Sequence, residues 1–373
     1  MPTAGLANGA LYAPLLFGLG VVLAAAGWFA EGARPRVDRA LLLLAAAFVA
    51  LGWASLCWSV APTETAGRAL QLSLIAAGAM LLLAVAAPEA QTSERLFPVM
   101  LAALAVGALA MLADRAAGYP LQHLLAARAA YPTAKYNRGL DYLALLVWPL
   151  LALGAVSGRR REAWLAAILA LLLTLVGRST TAQVAVLVGA ASFGLAVLAP
   201  WVASRLAAGS LTLSATTLPV WLRLAASHRG AFAAHIKASG IHRLEIWDYM
   251  TARVVERPVL GWGLAAANAV PIRPQELAQY HFVVPQGVYP HQQWLELWLE
   301  LGIAGVLIAL AAALLVLGRI DRLPPHTRPF GFAAFAAAMT VSFSNFEITT
   351  DSWWAALAGT AFLIRAAARL EQP

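Results

Sequence analysis

Between residues 11 and 364 the chain returns about 11 times to an apolar run close to the roughly 20 residues that an α-helix needs to cross a bilayer core. The runs fall at 11–30, 40–58, 69–87, 96–113, 140–156, 163–176, 182–200, 206–222, 295–317, 330–343 and 353–364. No soluble core needs so many. Charged residues are 12% of the chain, against about a quarter in soluble domains, and mean hydropathy is +0.73. The fold class expected is an all-α polytopic membrane protein with about 11–12 transmembrane helices. One long polar stretch, 223–292, divides a group of N-terminal spans (1–222) from a C-terminal group (293–373).

Charge orients the spans. Cytoplasmic loops carry an excess of Lys and Arg, and the basic connectors are Arg34/Arg36/Arg39, Arg159–Arg161, Arg319/Arg322/Arg328 and Arg365/Arg369. All fall on one side provided that the weak run 206–222, with its Ser and Thr residues and Pro219, truly crosses. The polar stretch then lies on the outer face, with the loop 114–137, the Gly177-Arg178-Ser179 junction and the turn 344–351. Met1–Pro14 has no basic segment ahead of the first run, so that run is expected to be a retained helix.

The formal net charge is +8, and only two of the basic residues are lysines, Lys135 and Lys237. Topology and anionic headgroups account for many of the arginines, so the charge does not point to nucleic acid. Arginine makes forked contacts with phosphate; a GC-rich codon usage also favours it. Cys57, the one cysteine, excludes an internal disulfide and a thiol metal site, and is expected to be a small buried residue.

Three stretches stand out. Arg178 interrupts a nearly continuous apolar run, where charge is expensive and marks a function or an interfacial anchor. His242-Arg243-Leu244-Glu245-Ile246-Trp247 reads as helix with Arg243 and Trp247 on one face. It continues to Pro258-Val259-Leu260-Gly261-Trp262-Gly263, where Pro258 and Gly261 stop the helix in a tight turn. Taken alone this is an amphipathic surface helix. Tyr289-Pro290-His291 then opens a new apolar helix at Trp294. A histidine there can be a general base near neutral pH, or a cap.

Together and in this order, these pieces resemble the O-antigen ligase and polymerase superfamily of bacterial membrane glycosyltransferases. The resemblance is carried by Arg178, Arg243/Trp247, Pro258/Gly261/Gly263 and His291/Leu295/Glu300/Gly302/Gly305. Gln292 departs from it, since the family often has Asn after the histidine; an amide is kept. The count of 11 spans also departs from the 12 typical of family ligases.

The resemblance implies a GT-C-like membrane fold and a metal-independent, inverting transfer of a glycan from undecaprenyl diphosphate, on the periplasmic face of the bacterial inner membrane. The acceptor would be lipid A–core or a similar glycan; membrane lipids are the surroundings, and no cofactor is implied. A diphosphate leaving group needs cationic donors, for which Arg178 and Arg243 are the candidates. An acceptor hydroxyl must lose its proton, for which His291 is the candidate base. No Asp-x-Asp cluster and no His/Cys spacing demands a metal.

Further candidates on the outer side are Arg138, Asp141, Trp247, Glu347 and Asp351, each equally a cap or a structural ion pair. Trp262, Tyr280 and Tyr289 are candidates to stack on sugars. The other four histidines of the polar stretch are expected to have no catalytic role, and the stretch itself is expected to act as a lid over a cavity between helices. Two alternatives stay open: a polymerase of the same superfamily, with a carrier-linked acceptor, and a polysaccharide transporter or flippase. The latter predicts charges within spans and repeated halves, whereas the charges here fall at span ends.

Overall fold

The computed structural model describes residues 37–84, 90–120, 132–177, 179–228, 238–273 and 289–371, and the single positions Gly18, Val21, Val22, Ala25, Gln275 and Tyr280. Of the first expected span only those four N-terminal positions are described, and each is helical. Arg178, Lys237, Arg34 and Arg36 lie outside the described residues.

Each of the other ten expected spans coincides with a helix: α1 (Arg39–Ala54), α2 (Pro62–Ala84), α3 (Ala90–Ala116), α4 (Pro132–Val156), α5 (Arg160–Gly177), α6 (Thr180–Leu198), α7 (Pro200–Ser227), α9 (Gln293–Ile320), α10 (Arg328–Ser342) and α11 (Asp351–Leu370). Between α7 and α9 lies α8 (Ala238–Glu256). No strand occurs among the described residues. Helices α1, α2, α3, α4, α6 and α9 are long and apolar enough to cross a membrane. The protein is an all-α, multi-pass membrane protein.

Local chemistry sets the helix ends. Asp38 caps α1 by accepting from the amides of Ala40 and Leu41. Ser179 caps α6 through Ala182. Pro200 and Pro329 sit in the first turns of α7 and α10, where no amide partner is lost. Both ends of the polar loop expected over 114–137 are helical: α3 runs on to Ala116 and α4 starts at Pro132. Cys57 is a correction: it ends a short 3-10 turn after α1 and is exposed.

Helix α4 is the axis. Its apolar window is 83% buried, against 11–33% in the other five long apolar helices, so α4 is ringed by protein while they keep an outward apolar face. Leu140, Leu145, Ala152 and Leu153 of α4 pack with α3, α5, α6, α10 and α11 in one cluster. Small residues let backbones close in at Gly177 and Gly189: a Cβ at Gly189 would lie 2.6 Å from the Trp148 ring, and one at Gly177 would overlap Leu140.

The helices have a basic end and an opposite end. At the basic end Arg319 pairs with Asp38 at 2.6 Å, Ser204 donates to Asp321 at 2.6 Å, and Glu371 accepts from the amides of His326 and Thr327. The weak run 206–222 lies within a single helix. Helix α7 leaves the basic end at Ser204, passes Ala215, whose carbonyl accepts from Trp298 at 2.8 Å, and is continuous through Pro219.

The polar stretch is less of a separate unit than expected. Ile246, Tyr249, Met250 and Val254 of α8 share a buried cluster with Leu218 and Leu222 of α7 and with Trp294, Leu295 and Trp298 of α9. Helix α9 itself is broken at Gly302 (φ 61°, ψ −162°). The 258–263 turn docks into that break through main chain alone. Trp262 and Gly263 donate to the carbonyls of Leu299 and Glu300, each at 2.9 Å, while Ile303 and Ala304 donate to Pro258 and Val259 at 2.8 and 3.2 Å. Gly261 and Gly302 both have left-handed φ, and a Cβ on either would strike the other segment's backbone. The Pro-x-x-Gly-x-Gly and Glu-x-Gly-x-x-Gly motifs are two halves of one joint.

Candidate active site

Away from the basic end, the starts of α2, α4, α6, α9 and α11 meet the end of α10 and the start of α8. Asp141 is fully buried there. It accepts from the Asn345 amide at 2.7 Å and from the Ser179 hydroxyl at 3.2 Å. Three parts of the chain are thus tied at one carboxylate: α4, the α5–α6 junction that carries Arg178, and the turn after α10. The Arg178 side chain lies outside the described residues, but its neighbours Gly177 and Ser179 are fixed against Leu140 and Asp141.

Helix α8 reaches over this end with two donors on one face. The Arg243 guanidinium donates to the Ser344 carbonyl at 3.0 Å, next to Asn345, and faces the charge of Asp141. One turn on, the Trp247 indole donates to the Pro290 carbonyl at 2.7 Å. His291 follows, with φ +50°, a region where non-glycine residues are uncommon and His is among those enriched. Its ring meets the edge of Tyr289 at 4.6 Å and faces His242 at 6.5 Å between centroids. Burial, then Arg243, His242 and Arg138, depress the His291 pKa to about 4, because a second positive charge is unwelcome in a desolvated, already cationic place. The imidazole is therefore neutral at pH 7. His242 is lowered too, first by burial. Burial, with Glu296 and Glu347 nearby, raises the Tyr289 phenol, which stays protonated.

Beside His291 a small, partly open cavity is lined by Arg68, Asn268, Tyr289, Glu296, Glu300, Glu347 and Thr349. Arg68 faces Glu347 at 3.7 Å. Glu296 accepts from the Ile348 amide at 2.8 Å, and Glu300 from the Ala267 amide at 3.2 Å. Gln293 donates to the Glu347 carbonyl at 3.4 Å. Among the described residues no group of three or more His, Cys, Asp or Glu side chains is placed to hold a metal.

The sequence candidates therefore divide. Arg243, Trp247, His291, Asp141 and Arg138 converge; Arg138 is exposed, at the start of α4, and its charge acts on Asp141 and His291. Glu347 lines the adjoining cavity. Asp351 opens α11, 5% exposed, and accepts from the Ser352 amide; Ser352 also meets Tyr142 at 2.6 Å. Two stacking candidates are committed elsewhere: Trp262 is buried, donates to the Arg253 carbonyl and is covered by Arg257 at 4.1 Å, and Tyr280 donates to Asp248. Sequence reasoning passed over Arg68, Glu296 and Asn345. The signal for Glu296 was present: with Glu300 it makes two acids one turn apart in an apolar helix, which is costly unless they serve something.

A multi-pass membrane helix bundle with a polar site at one end is the class that fold and site define. Within it, residues 144–310 match the family model described as O-antigen ligase. That segment contains every motif residue on which the resemblance was drawn. The chain is also similar to three proteins named "Putative polysaccharide ligase": from Rickettsia felis, 25% identical over 232 residues, 61% of this chain and 56% of the relative; from Rickettsia typhi, 25% over 222 residues, 58% and 55%; and from Rickettsia conorii, 24% over 222 residues, 58% and 54%. The chain thus matches just over half the length of these curated relatives.

Proposed function

We propose that this protein is a polysaccharide ligase of the O-antigen ligase type, moving a glycan from a polyprenyl diphosphate, undecaprenyl diphosphate by the resemblance, to lipid A–core or a similar glycan acceptor. One observation carries most of the weight: Arg243, His291 and the junction holding Arg178 reach one end of the bundle from three distant parts of the chain.

In this reading the acceptor hydroxyl gives its proton to His291 as its oxygen bonds to the anomeric carbon. The bond from that carbon to the diphosphate breaks, and Arg178 and Arg243 take up the charge left on the carrier. Attack opposite the leaving group inverts the anomeric centre. The depressed basicity of His291 fits this order. Arg243, His242 and Arg138 disfavour its protonation while the site is empty, and an entering diphosphate offsets those charges and makes the ring a better base. The chemistry is assigned to side chains alone, without a metal.

The distribution of charge supports an orientation. Arg39, Arg159–Arg161, Arg319, Arg322, Arg328 and Arg369 gather at the end opposite the site, which the positive-inside rule puts in the cytoplasm. The site then faces the periplasm from the inner membrane.

The test is transfer by purified protein, in EDTA, from carrier diphosphate-linked glycan to lipid A–core in one arm and to a second carrier-linked oligosaccharide in the other. Wild type should act in the first arm, and His291→Ala should lose about 10²–10⁴-fold. Product only in the second arm would make the protein a polymerase. Full transfer by both His291→Ala and Arg243→Ala would sink the assignment.

A further inference from the structure

We propose that Trp247 is a positioning residue whose indole N–H sets the direction in which His291 points; this rests on the reading of His291 as the base. The hydrogen bond at issue runs from Trp247 Nε1 to the Pro290 carbonyl at 2.7 Å. That carbonyl belongs to the peptide unit joining Pro290 to His291. The φ angle of His291 is the rotation of the rest of the residue relative to that peptide plane, so holding the carbonyl fixes one of the two sides that define φ; with the chain ahead also held, the line along which the imidazole leaves the backbone is set.

The observed φ of +50° is one that an L side chain adopts only when the surroundings hold it there. The holding is done from both sides. Behind His291, Trp247 pins the Pro290 carbonyl. Ahead of it, Gln292 and Gln293 are buried, and the Gln293 amide donates to the Glu347 carbonyl. The ring then lies 4.6 Å from Tyr289 and 6.5 Å from His242. A relaxed, negative φ would swing Cβ to another side of the backbone and take the imidazole away from Arg243.

Helix geometry explains why the indole sits where it does. Arg243 and Trp247 are one turn apart on α8. The first donates to the Ser344 carbonyl at 3.0 Å, the second to the Pro290 carbonyl. One helix face therefore holds two turns at once: the turn after α10, which leads to Asn345 and Asp141, and the turn that opens α9. The spacing of the diphosphate candidate from the base candidate is set within a single rigid helical turn, and Trp247 is the half of that device that touches no reacting atom.

The test replaces Trp247 by β-(3-benzothienyl)alanine, which keeps the ring shape and loses only the N–H. The full-length protein in detergent is compared with wild type by transfer kinetics, by thermal melting, and by the rate at which diethyl pyrocarbonate modifies His291, mapped by mass spectrometry. The expectation is a kcat lower by on the order of ten- to a hundredfold with KM for the donor and the melting temperature unchanged, and a several-fold change in the His291 modification rate. An unchanged modification rate overturns the proposal, as does an unchanged kcat in an active preparation, or a loss of activity that only tracks a lowered melting temperature. If wild type transfers nothing, the ligase reading fails by itself, while the modification rate still decides whether the indole places His291.

Discussion

Asn345 donates its side-chain amide to Asp141 across 204 residues of sequence, at 2.7 Å. The same carboxylate receives the Ser179 hydroxyl, so one buried acid joins the start of α6 to the turn after α10, while Arg243 of α8 faces its charge. Asp141→Ala strands the Asn345 amide in a water-poor site, at a cost of about 1–3 kcal/mol, and loosens the backbone that carries Arg178. We expect a lowered melting temperature in detergent together with weaker donor binding. Asn345→Ala should do less, and the double variant should be less than additive, because the two residues share one interaction. Additive losses would mean that the bond contributes nothing.

Gly302 interrupts α9 with φ 61° and ψ −162°, a combination essentially reserved for glycine and costing other residues about 1–3 kcal/mol. A methyl group there would also meet the Val259 carbonyl carbon of the docked turn. Gly302→Ala should therefore push the 258–263 turn out of its four main-chain hydrogen bonds. Those bonds lie next to the Ala267 amide that holds Glu300, so transfer should fall with stability. Gly318→Ala, in the same helix with open space around it, is the control and should be silent. Protease sensitivity after Arg257, with wild type and both variants side by side, reads the outcome directly.

Legibility in the sequence tracked the range of the physics. Span positions were readable because the length and apolarity of a crossing helix are local properties, and ten of the eleven runs have a helix in place. Helix ends were misplaced by several residues because caps such as Asp38 and Ser179 and polar first turns such as 132–137 do not register as apolar. The break in α9 was hidden: Gly302 stands out as a motif residue, but its non-helical backbone shows only once Gly261 is brought against it. Asp141 could be suspected from its place at a span start and Glu296 from its spacing to Glu300, but Asn345 and Arg68 gained meaning only from partners far away in the chain, Asp141 and Glu347. Cys57 was misjudged because an apolar run was taken to be buried, whereas in a membrane protein such a run also faces outward.

Arg68 is the cationic side chain among the residues lining the cavity, beside Glu296, Glu300 and Glu347. Its contact with Glu347 is long, 3.7 Å, and both side chains are substantially exposed, 42% and 32%. Screening by solvent then limits their coupling to about 1 kcal/mol or less. A double-mutant cycle of Arg68→Gln and Glu347→Gln on unfolding should return a coupling in that range. A coupling well above it would identify the pair as a structural clamp rather than a charge balance for the cavity.

His291 makes stability depend on pH in a definite direction. Its folded pKa is depressed to about 4, against about 6.5 in an unfolded chain. Between these values the unfolded state holds the proton and the folded state does not, so ΔG of unfolding rises with pH across that window. The contribution is complete above about pH 6.5 and is lost as pH falls toward 4. In His291→Gln the melting temperature should accordingly be less sensitive to pH between 4 and 6.5 than in wild type. Arg243 is the largest electrostatic cause of the depression after burial. Arg243→Gln should therefore bring the His291 pKa back toward its ordinary value, narrow the pH window over which stability changes, and move the acid limb of kcat/KM upward, since that limb reports the free enzyme. Melting curves and donor-limited rates measured over pH 4–8 for the three proteins test both parts. An acid limb that stays in place in Arg243→Gln would show that another group, not His291, governs the step.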